Sequence, residues 1–592
     1  MREQIIKLRE VMAEKGLDAW ICPSSDAHQS EYPSEYDKAR RYFSGFTGSA
    51  GTLLVLQDEA FLWTDGRYFL QAAHELEGSG ITLMKMGTAG VETLSQLLSR
   101  KLSAGNTVGY NGNLLSWEEG SFLARQLENT GIRFEIGGDL TDAIWKDRPK
   151  RSAAKVWLMG EEFAGESYES KAGRVRKEMG DANLCVISSL SDIAWLTNLR
   201  GGDIERNPLF LSYFILGKEE GTLFIQREAL TREIQAYLDQ NRIQVREYDS
   251  FDASLLEIKN QRILLDGAAV SYKTALTLSR EEGGNALAFQ LNPVTLFKNI
   301  KNETEIAHLK ACHIRDGVYM AKYIYWVKRA VEQGMVLTEK TASDHLDGLR
   351  AADEKFVDLS FNTISGYGEN AAVVHYEARR ASAKRLEPKG LYLFDSGGQY
   401  LDGTTDVTRT ISLGPVTKEE REHYTLVTLG MLRLMGAVFK EGAKGVSLDV
   451  LAREALWQAG LDYNHGTGHG VGFVNTVHEA PVSIRNQPNP DPKRDVVLKP
   501  GMVTSDEPGV YIDGKHGIRM EILVFVKEKQ EGFLCFEPLT FAPIERELME
   551  VSLMNPRDIA LYNAYQKQVF ERIAPGLTQE ERNWLEEETK PL

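Results

Sequence analysis

The first 298 residues carry the same succession of segments twice, and this repetition constrains the fold more than any other feature of the sequence. The two copies are DAWICPSSDAHQSEY…RRYFSGFTGSAGTLLVL and NLCVISSLSDIAWLTNLRGGDIERNPLFLSYFIL. Each contains an apolar strand, a Ser-Asp turn, an aromatic segment, a Gly-rich turn and a second apolar strand. Helical patterns such as VETLSQLLSRKL alternate with these strand-like runs. The repetition therefore predicts two related α/β domains.

The length of the chain requires a further domain, because 592 residues are too many for one hydrophobic core. We predict a first domain over residues 1–150, which ends in a basic, proline-containing linker, and a second over residues 151–298. A third domain, residues 299–592, begins with a helix that Asn302 caps, and Glu305 completes the capping box. The fold class is α/β (α+β).

Charge, apolar content and cysteine usage exclude several classes of protein. The formal net charge of -16 opposes binding to nucleic acid, whose phosphates require a basic surface. The N-terminal segment MREQIIKLREVMAEKGLDAW has the pattern of an amphipathic helix and not of a secretory signal. No stretch is apolar for long enough to span a bilayer, so no membrane partner is expected. The four cysteines are scattered, so we expect a cytoplasmic protein without a disulfide framework.

Candidate chemistry concentrates in the third domain, and the segment LYLFDSGGQYLDGTTDVTRTISL predicts a β-hairpin there. Asp395 ends the first strand and Asp406 begins the second, so two carboxylates are expected close together. Asp402 is typical of a turn residue. Asp406 lies among apolar and β-branched residues, where a carboxylate needs a partner, and either Arg409 or a metal ion can serve.

Three histidines lie in the Gly-rich segment NHGTGHGVGFVNTVHEAP. The glycines around His465 and His469 exclude a helix, and with it the HExxH type of zinc site. A lone histidine is more often a packed core residue than a ligand. Three among glycines, with His478 as the third, are harder to explain in that way. Such glycines permit close approach of the backbone to a ligand.

Two glutamates follow in the segment VTSDEPGVYIDGKHGIRMEILVFV. Glu507 precedes a Pro-Gly turn that ends a strand. Glu521 is predicted inside the apolar strand GIRMEILVFV, where a carboxylate is unfavourable unless it is paired or bound to a cation. Arg519, two residues earlier and on the same face of that strand, is the competing partner.

Together these segments supply an oxygen-rich ligand set, which consists of Asp395, Asp406, His469, Glu507 and Glu521. Four carboxylates and one imidazole suit manganese, cobalt or zinc. Their negative charge exceeds what one divalent ion neutralises, so we predict two ions. A pair of divalent ions is typical of hydrolases, since together they polarise a carbonyl and activate water.

The order and combination of DSGG…TTDVTRT, HGTGHGVG…VHE, DEPGVY and GIRMEI resemble the creatinase and methionine aminopeptidase superfamily. Within it, the whole chain is similar to the aminopeptidase P family in its long, three-domain cytosolic form. The resemblance implies two creatinase-like α/β domains followed by a catalytic domain of the pita-bread fold. It also implies cleavage before a proline at the second position of a peptide, two divalent ions with manganese favoured over zinc and cobalt, and a homodimer.

The resemblance also assigns roles to the five ligands. It implies that Asp395 binds one ion only, and that His469 and Glu507 bind the second ion only. Asp406 and Glu521 would bridge the two ions.

Further residues match positions of the family around the substrate. His375 matches a histidine that contacts the substrate and moves protons, and His478 one that contacts the scissile carbonyl. His465 matches a residue that lines the proline side of the pocket. Tyr511 and Arg519 match supporting, substrate-side residues near the metals. The segment VSIRNQPNPDPKRDVVLKP contains no ligand candidate and bears only on the rim of the pocket.

Other members of the superfamily are alternatives. Methionine aminopeptidase does not need the 298 residues that precede the third domain. Creatinase lacks the full metal set. Prolidase, the Xaa-Pro dipeptidase, keeps the ligands but normally has a single N-terminal domain, and it is the main alternative. Non-catalytic pita-bread modules that bind other macromolecules have lost ligands, so the presence of all five argues against that class.

Overall fold

The computed structural model describes residues 2–489 and 491–592, which form two compact units. Unit 1 comprises Met1–Met159, Glu166–Glu205 and Leu209–Val294, and unit 2 comprises Gly160–Gly165, Arg206–Pro208 and Thr295–Leu592. The three-domain borders at residues 150 and 298 stay a prediction. Pro490, in the segment between His478 and Glu507, lies outside the described residues.

Unit 1 contains the short strands that the apolar runs of the N-terminal half predict. They are β1 (Ala19–Pro23), β2 (Thr52–Leu56), β3 (Ala60–Thr64), β4 (Thr82–Lys85), β5 (Thr107–Tyr110), β6 (Arg133–Glu135), β7 (Trp157–Leu158), β8 (Leu184–Ile187), β9 (Leu199–Arg200), β10 (Ser212–Gly217), β11 (Gly221–Ile225), β12 (Ile243–Glu247), β13 (Arg262–Leu265) and β14 (Ala286–Phe289).

These strands form two six-stranded sheets with the same topology. The first has the order β4-β3-β2-β1-β5-β6 and the second β12-β11-β10-β8-β13-β14, while β7 pairs with β9. In the first sheet β2 is antiparallel to β1 and β3, and the remaining neighbouring strands are parallel. In the second sheet β10 is antiparallel to β8 and β11, and the remaining neighbouring strands are parallel. Two sheets with one strand order are what the repeated succession of segments predicts.

Helices connect these strands in the N-terminal half of the chain. They are α1 (Glu3–Glu14), α2 (Ala39–Ser44), α3 (Phe69–Glu75), α4 (Leu94–Lys101), α5 (Trp117–Leu127), α6 (Thr141–Ile144), α7 (Glu161–Ala164), α8 (Tyr168–Glu178), α9 (Leu190–Thr197), α10 (Arg232–Gln240), α11 (Phe251–Glu257), α12 (Tyr272–Leu278) and α13 (Pro293–Asn299).

Unit 2 contains the remaining strands, most of them short. They are β15 (Phe356–Leu359), β16 (Ile364–Tyr367), β17 (Leu391–Ser396), β18 (Gly398–Tyr400), β19 (Gly403–Thr404), β20 (Val407–Ser412), β21 (Val438–Lys440), β22 (Gly468–Gly470), β23 (Glu479–Ile484), β24 (Val503–Asp506), β25 (Gly509–Ile512), β26 (His516–Arg519), β27 (Ile522–Gln530) and β28 (Phe533–Pro538). The two sheets that matter for the site are β16-β17-β20 and β21-β28-β27-β24-β22-β23.

Besides α7 and most of α13, unit 2 contains the helices α14 (Glu303–Glu332), α15 (Glu339–Ala351), α16 (Lys418–Met435), α17 (Asp449–Gln458), α18 (Pro556–Ile573) and α19 (Gln579–Glu588). The predicted capping box at the start of α14 is present, since Asn302 Oδ1 accepts the Glu305 N–H at 2.9 Å and Glu305 accepts the Asn302 N–H at 2.9 Å. The last two of these helices, α18 and α19, form the C-terminal end of the described chain. Among the described residues, no helix is both long and apolar enough to cross a bilayer.

A large apolar core lies between the helices of unit 2 and its six-stranded sheet. Its fully buried members include Val427 and Met431 of α16, Val524 of β27 and Val569 of α18. Because the core fixes α16 and α18 against this sheet, it also fixes the ends of the strands, where the polar candidates lie.

The charge of a buried arginine stabilises the junction of α14, α15 and β18. Arg350 Nε and Nη2 donate to the two oxygens of Asp316 at 2.8 and 3.0 Å, and the Tyr400 hydroxyl donates to Asp316 at 2.7 Å. Burial raises the pKa of Asp316, but the charge and hydrogen bonds of Arg350 outweigh it and hold that pKa below its ordinary value. The pair therefore stabilises the fold above the pKa of an unfolded aspartate and loses this effect as the pH falls through the folded pKa.

We expect Asp316→Asn to lower the free energy of unfolding by about 3–5 kcal/mol, because it leaves the Arg350 charge buried without an anion. Urea denaturation near neutral pH measures this difference. The control is Asp344→Asn, which removes an exposed partner of Lys340 on α15 and should change the free energy by less than about 1 kcal/mol. Equal midpoints for the two variants would contradict the prediction.

Candidate metal centre

The five predicted ligands of unit 2 come from the ends of strands in its two main sheets. Asp395 is the penultimate residue of β17, and Asp406 directly precedes β20. His469 is the central residue of β22, Glu507 directly follows β24, and Glu521 directly precedes β27. Side chains at strand ends can turn toward one another without interrupting a ladder of hydrogen bonds.

The register of β17 and β20 places the first two carboxylates together. Asp395 lies opposite Thr408 in this antiparallel pair, so Asp406 follows on the same face of β20 as Thr408. The connection between these strands is longer than a simple turn, because β18 and β19 pair within it. Asp402 lies in a turn there, as predicted, but its side chain is fully buried and accepts hydrogen bonds from Arg315 at 2.7 and 2.8 Å and from Lys355 at 2.8 Å.

Arg409, one of the two partners considered for Asp406, binds elsewhere. Its guanidinium donates to the backbone oxygens of residues 408, 521, 542 and 543 at 2.7–3.0 Å and to the Tyr565 hydroxyl at 2.8 Å. These acceptors take up its donors, so the guanidinium does not neutralise Asp406. Asp406 Oδ2 instead lies 3.4 Å from His469 Nε2.

His469 presents one ring nitrogen to the carboxylates. Its Nδ1 lies 3.0 Å from the Gly470 carbonyl oxygen, which makes Nδ1 the protonated nitrogen in the neutral ring. Nε2 then carries the lone pair and faces Asp406 at 3.4 Å and Glu507 Oε1 at 3.6 Å. A carbonyl that fixes the tautomer of a histidine in this way is common around metal-binding histidines.

The glycines beside His469 are required by neighbouring strands and not by a ligand. A Cβ atom on Gly468 would lie 2.0 Å from the Ser505 carbonyl oxygen, and one on Gly470 would lie 2.2 Å from the Glu479 carbonyl oxygen. The backbone therefore approaches the neighbouring strands β24 and β23 closely, and the predicted close approach to a ligand stays a prediction. These contacts set the position of β22 and hence of His469.

Glu507 and Glu521 face each other across the continuation of one ladder. Asp506 of β24 pairs with Ile522 of β27, so the next residues outward on each strand are Glu507 and Glu521. The expectation that Glu521 lies inside a single strand is wrong, because β26 ends at Arg519 and β27 begins at Ile522 in a different sheet. The Glu521 N–H donates to the Thr408 oxygen at 3.1 Å, which joins the two sheets at the site.

Arg519 pairs with Asp395 and not with Glu521. Its Nη2 donates to Asp395 Oδ2 at 2.7 Å, its Nη1 to the Tyr511 hydroxyl at 2.9 Å and its Nε to Thr408 Oγ1 at 3.2 Å. Thr408 Oγ1 in turn donates to Glu521 Oε2 at 2.8 Å. The candidate partner Arg519 thus compensates one carboxylate and leaves Asp406, Glu507 and Glu521 without a guanidinium.

Burial of these carboxylates has the expected electrostatic effect. Burial raises the pKa of Asp395 and of Glu521, and the negative charge of Asp406 raises both further. Burial also raises the pKa of Glu507 to about 7, against the positive charges of His469 and Arg519. Burial opposes protonation of His469, but its hydrogen bond to Asp406 and the charge of Glu507 outweigh this and raise its pKa to about 9. The positive charges of Arg519 and His469 therefore do not balance the negative charges of the four carboxylates.

The donor atoms are placed as a cation requires. Ligand atoms of Asp406, His469 and Glu521 all lie within 4.8 Å of one another. Asp395 Oδ1 is buried and accepts no hydrogen bond from the described residues, so it is a polar atom whose burial needs a partner. Carboxylate oxygens and one imidazole nitrogen suit a hard or borderline divalent ion, and the residues present fit such a group.

Two of the three predicted accessory histidines contact this cluster or its supports. The rings of His478 and His469 meet edge to face with centroids 4.4 Å apart. His465 Nδ1 lies 2.8 Å from the Gly466 oxygen and its Nε2 lies 2.8 Å from the Tyr511 hydroxyl. If Nδ1 donates, Tyr511 donates to Nε2 and accepts from Arg519, so His465 is linked through Tyr511 and Arg519 to Asp395.

The third histidine, His375, is half-buried in the segment between β16 and β17. Its segment follows β16, in which Ile364 pairs with Asp395 of β17.

Some residues of the site were missed at the level of sequence. Thr408 orients Glu521 and Arg519, and its position two residues after Asp406 on a strand was the signal that could have identified it. Glu479, directly after His478, is buried and forms an ion pair with the buried Lys301, with Lys298 Nζ at 3.5 Å. No local pattern links these lysines to Glu479, because 178 residues separate Lys301 from it.

Residues 307–528 match metallopeptidase family M24, and residues 532–592 match the C-terminal region of these peptidases. Residues 4–143 and 147–305 each match the N-terminal domain of creatinase and prolidase. The probable Xaa-Pro aminopeptidase P of Paracoccidioides brasiliensis (strain Pb03) is 40% identical over 616 residues, which cover 100% of this chain and 99% of the relative. That of Talaromyces marneffei is also 40% identical, over 100% of this chain and 92% of the relative.

Among solved structures, the X-prolyl aminopeptidase from Caenorhabditis elegans, described as a cytosolic enzyme with a di-nuclear active site, has a TM-score of 0.94. It is 33% identical in sequence, and the match covers 100% of this chain and 99% of that chain. The prolidase from Pyrococcus horikoshii has a TM-score of 0.50 at 22% identity and covers 64% of this chain and 99% of its own. The likeness to the prolidase concerns the fold alone.

We expect Asp406→Ala to lower the affinity for divalent metal by more than the roughly 10–100-fold that loss of an outer hydrogen-bond partner costs, because Asp406 supplies a converging donor atom. Elemental analysis after dialysis against a weak chelator measures the bound metal. Asp513→Ala, at an exposed aspartate in the turn between β25 and β26, is the control and should keep the metal of the unsubstituted protein. Full metal content in Asp406→Ala would show that the cluster is not the metal site.

Proposed function

Because this chain belongs to the Xaa-Pro aminopeptidase P family of M24 metallopeptidases, we propose that its metal centre releases the N-terminal residue from peptides whose second residue is proline. The protein is a metal-dependent aminopeptidase. The observation that carries the proposal is the convergence of donor atoms from Asp406, His469 and Glu521 within 4.8 Å, beside two further carboxylates. A non-catalytic binding module has no need for such a costly concentration of buried charge.

We assign the five ligands to two divalent ions. Asp395 would hold one ion, His469 and Glu507 would hold the other, and Asp406 and Glu521 would serve both. The central position of Asp406, 3.4 Å from His469, and the register that sets Glu507 beside Glu521 support this assignment. When bound, such a pair supplies a polarised carbonyl and a water made nucleophilic near neutral pH.

The residues of the chain itself orient the peptide and move the proton. In this proposal His478, whose ring meets that of His469 at a centroid distance of 4.4 Å, donates a hydrogen bond to the carbonyl oxygen of the scissile bond. His375 contacts the substrate and carries the proton to the proline nitrogen, which has no hydrogen of its own before cleavage. His465 and Tyr511 line the side on which the proline ring lies, and Arg519 holds Tyr511 in place at 2.9 Å.

The carboxylate cluster also gives a physical reason for cleavage at the N-terminus. A free peptide amine donates charge-assisted hydrogen bonds, and the carboxylate oxygens around the centre can accept them. An internal peptide bond offers no such group. The site therefore favours the first residue of a chain over internal positions.

The metal, the compartment and the subunit number belong to the same proposal. The carboxylate-rich donors favour manganese, with zinc and cobalt as alternatives. A cytoplasmic location is supported by the four buried free cysteines and by the cytosolic relative of known structure. A homodimer follows from the family resemblance, and light scattering on the purified protein tests it.

We expect His375→Ala and His478→Ala to retain bound metal and to lose roughly 10²–10⁴-fold in kcat, because neither is needed as a ligand while each serves the reacting groups. Turnover of an Xaa-Pro peptide and elemental analysis on the same samples measure both quantities. His74→Ala, at an exposed histidine of α3, is the control and should behave like the unsubstituted protein. Loss of metal from either variant would make that histidine a ligand instead.

Substrate length separates this proposal from prolidase, which acts on dipeptides and must recognise the carboxylate of the proline itself. We expect an Xaa-Pro-Xaa tripeptide, or a longer peptide that begins Arg-Pro-Pro, to be cleaved with a higher kcat/KM than the matching Xaa-Pro dipeptide. Replacement of proline by alanine at the second position should lower kcat/KM roughly 10–200-fold, because the substrate then lacks methylene groups that fill the pocket.

The measurement is kcat/KM for the dipeptide and its tripeptide extension at the same metal loading. The corresponding dipeptide and tripeptide with alanine in place of proline show how peptide length alone affects kcat/KM. A clear preference for the dipeptide would assign the protein as a prolidase and would leave the five ligands unchanged.

A further inference from the structure

The segment of unit 2 that carries His375 is held by one buried glutamate. This segment, here called the histidine loop (residues 367–384), leads from the end of β16 toward β17, and His375 lies near its middle. Glu339 is the first residue of α15, and its side chain is fully buried. It belongs to neither the ligand set nor the residues assigned above to the substrate.

Both oxygens of Glu339 accept hydrogen bonds from the histidine loop. Oε1 accepts from the Tyr367 N–H at 2.8 Å and from Asn370 Nδ2 at 2.9 Å. Oε2 accepts from the Tyr376 hydroxyl at 2.9 Å and from the Lys384 N–H at 2.8 Å. The Glu339 N–H also donates to the Lys384 oxygen at 2.9 Å. The carboxylate therefore holds both ends of the loop and its middle.

The residue held in the middle is the direct neighbour of His375. Tyr376 donates its hydroxyl to Glu339 and accepts a hydrogen bond from Asn370 Nδ2 at 2.9 Å. Because the Tyr376 hydroxyl is held by Glu339 and Asn370, these contacts restrain the backbone that carries His375.

The chemistry of the anchor favours orientation over stability alone. A buried carboxylate is costly, and an apolar side chain of similar size could close a loop at lower cost. A carboxylate requires each donor to point at one of two oxygens, so it fixes directions as well as distances. The N-terminus of α15, where Glu339 is located, further stabilises the negative charge.

We propose that Glu339 is a positioning residue for the aminopeptidase reaction and that it acts on His375 through Tyr376 and Asn370. This inference rests on the role that His375 has in the proposed function. It concerns neither the metal ligands nor the binding of metal, because Glu339 contacts none of the five.

The test is a double-mutant comparison. Glu339→Gln keeps the size of the side chain but replaces one acceptor oxygen with a donor, so it disrupts the hydrogen bonds to at least one pair of loop donors. We expect kcat for an Xaa-Pro-Xaa peptide to fall roughly 10–100-fold, the cost of misplacing a catalytic group by about 1 Å. Bound metal should stay at the level of the unsubstituted protein.

In a His375→Ala background the same Glu339→Gln change should cost nothing further, because the group it positions is already absent. A merely structural residue would lower kcat by the same factor in both backgrounds. Tyr376→Phe, which removes one hydrogen-bond donor and keeps the ring, should lower kcat by a smaller factor. This decrease should also be absent in the His375→Ala background. It also serves as the test if Glu339→Gln does not fold.

The matched control is Glu369→Gln. Glu369 is a partly exposed residue of the same loop and forms an ion pair with the side chain of Lys384. Its removal should leave kcat and metal content unchanged.

Hydrogen exchange, followed by mass spectrometry, provides a readout that does not depend on catalysis. Amides of residues 367–384 should exchange faster in Glu339→Gln than in the unsubstituted protein and in Glu369→Gln.

The inference is overturned if Glu339→Gln retains kcat, or if it costs the same factor with and without His375. It is also overturned if exchange of the histidine loop is unchanged. Failure of the unsubstituted, metal-loaded protein to cleave any Xaa-Pro peptide would instead contradict the proposed function. In that case faster exchange of the loop still supports the anchor, and unchanged exchange still refutes it.

Discussion

The concentration of buried negative charge in unit 2 is the constraint on which the rest of the site depends. Asp395, Asp406 and Glu521 expose 7%, 4% and 1% of their surface, and Glu507 lies beside them. Only one guanidinium, that of Arg519, pairs with this group in the described part of the chain. With a neutral His469, three negative charges remain without compensation. One divalent ion would leave a negative charge, whereas two would make the cluster slightly positive. Without cations, burial and mutual repulsion raise the pKa values of Asp395, Glu507 and Glu521 above their ordinary values.

The remaining features of the site serve to hold these charges in place against their repulsion. Close packing of glycines against neighbouring strands sets β22, and the ladder between β24 and β27 sets the two glutamates. Thr408 of β20 donates to Glu521, which precedes β27 of the larger sheet, at 2.8 Å, and it accepts from Arg519 of the β25-β26 pair at 3.2 Å. Two contacts outside the cluster support the histidines. Glu339 accepts hydrogen bonds from the histidine loop, and Lys301 forms an ion pair with Glu479, the neighbour of His478. The polar centre is therefore rigid because its supports are distributed over many elements.

Local physics was sufficient to predict most of this site from the sequence. A carboxylate between apolar, β-branched residues is unfavourable without a partner, and this argument correctly selected Asp406 and Glu521 for burial. The duplication of the N-terminal half could be predicted because segment order specifies strand order, and the two sheets do share one topology.

Other features of the site depend on contacts between residues that are far apart in the sequence, and local patterns do not show such contacts. Glu521 lies between two strands of different sheets, and its N–H donates to the backbone of Thr408, which lies 113 residues earlier. Likewise, Asp402 looks like a turn residue, and its contacts with Arg315 and Lys355 account for its burial.

The buried Arg409 guanidinium has a consequence for the order of events during synthesis. It joins the backbone of Glu521, a predicted bridging ligand, to the oxygens of residues 542 and 543 and to Tyr565 of α18. The ribosome makes all five ligands before it reaches these acceptors. A nascent chain that has just exposed Glu521 thus has its ligands but not the acceptors that satisfy Arg409 and hold the Glu521 backbone. The centre can mature only after translation has passed α18, so a stalled or prematurely terminated chain would lack a finished hydrolytic site.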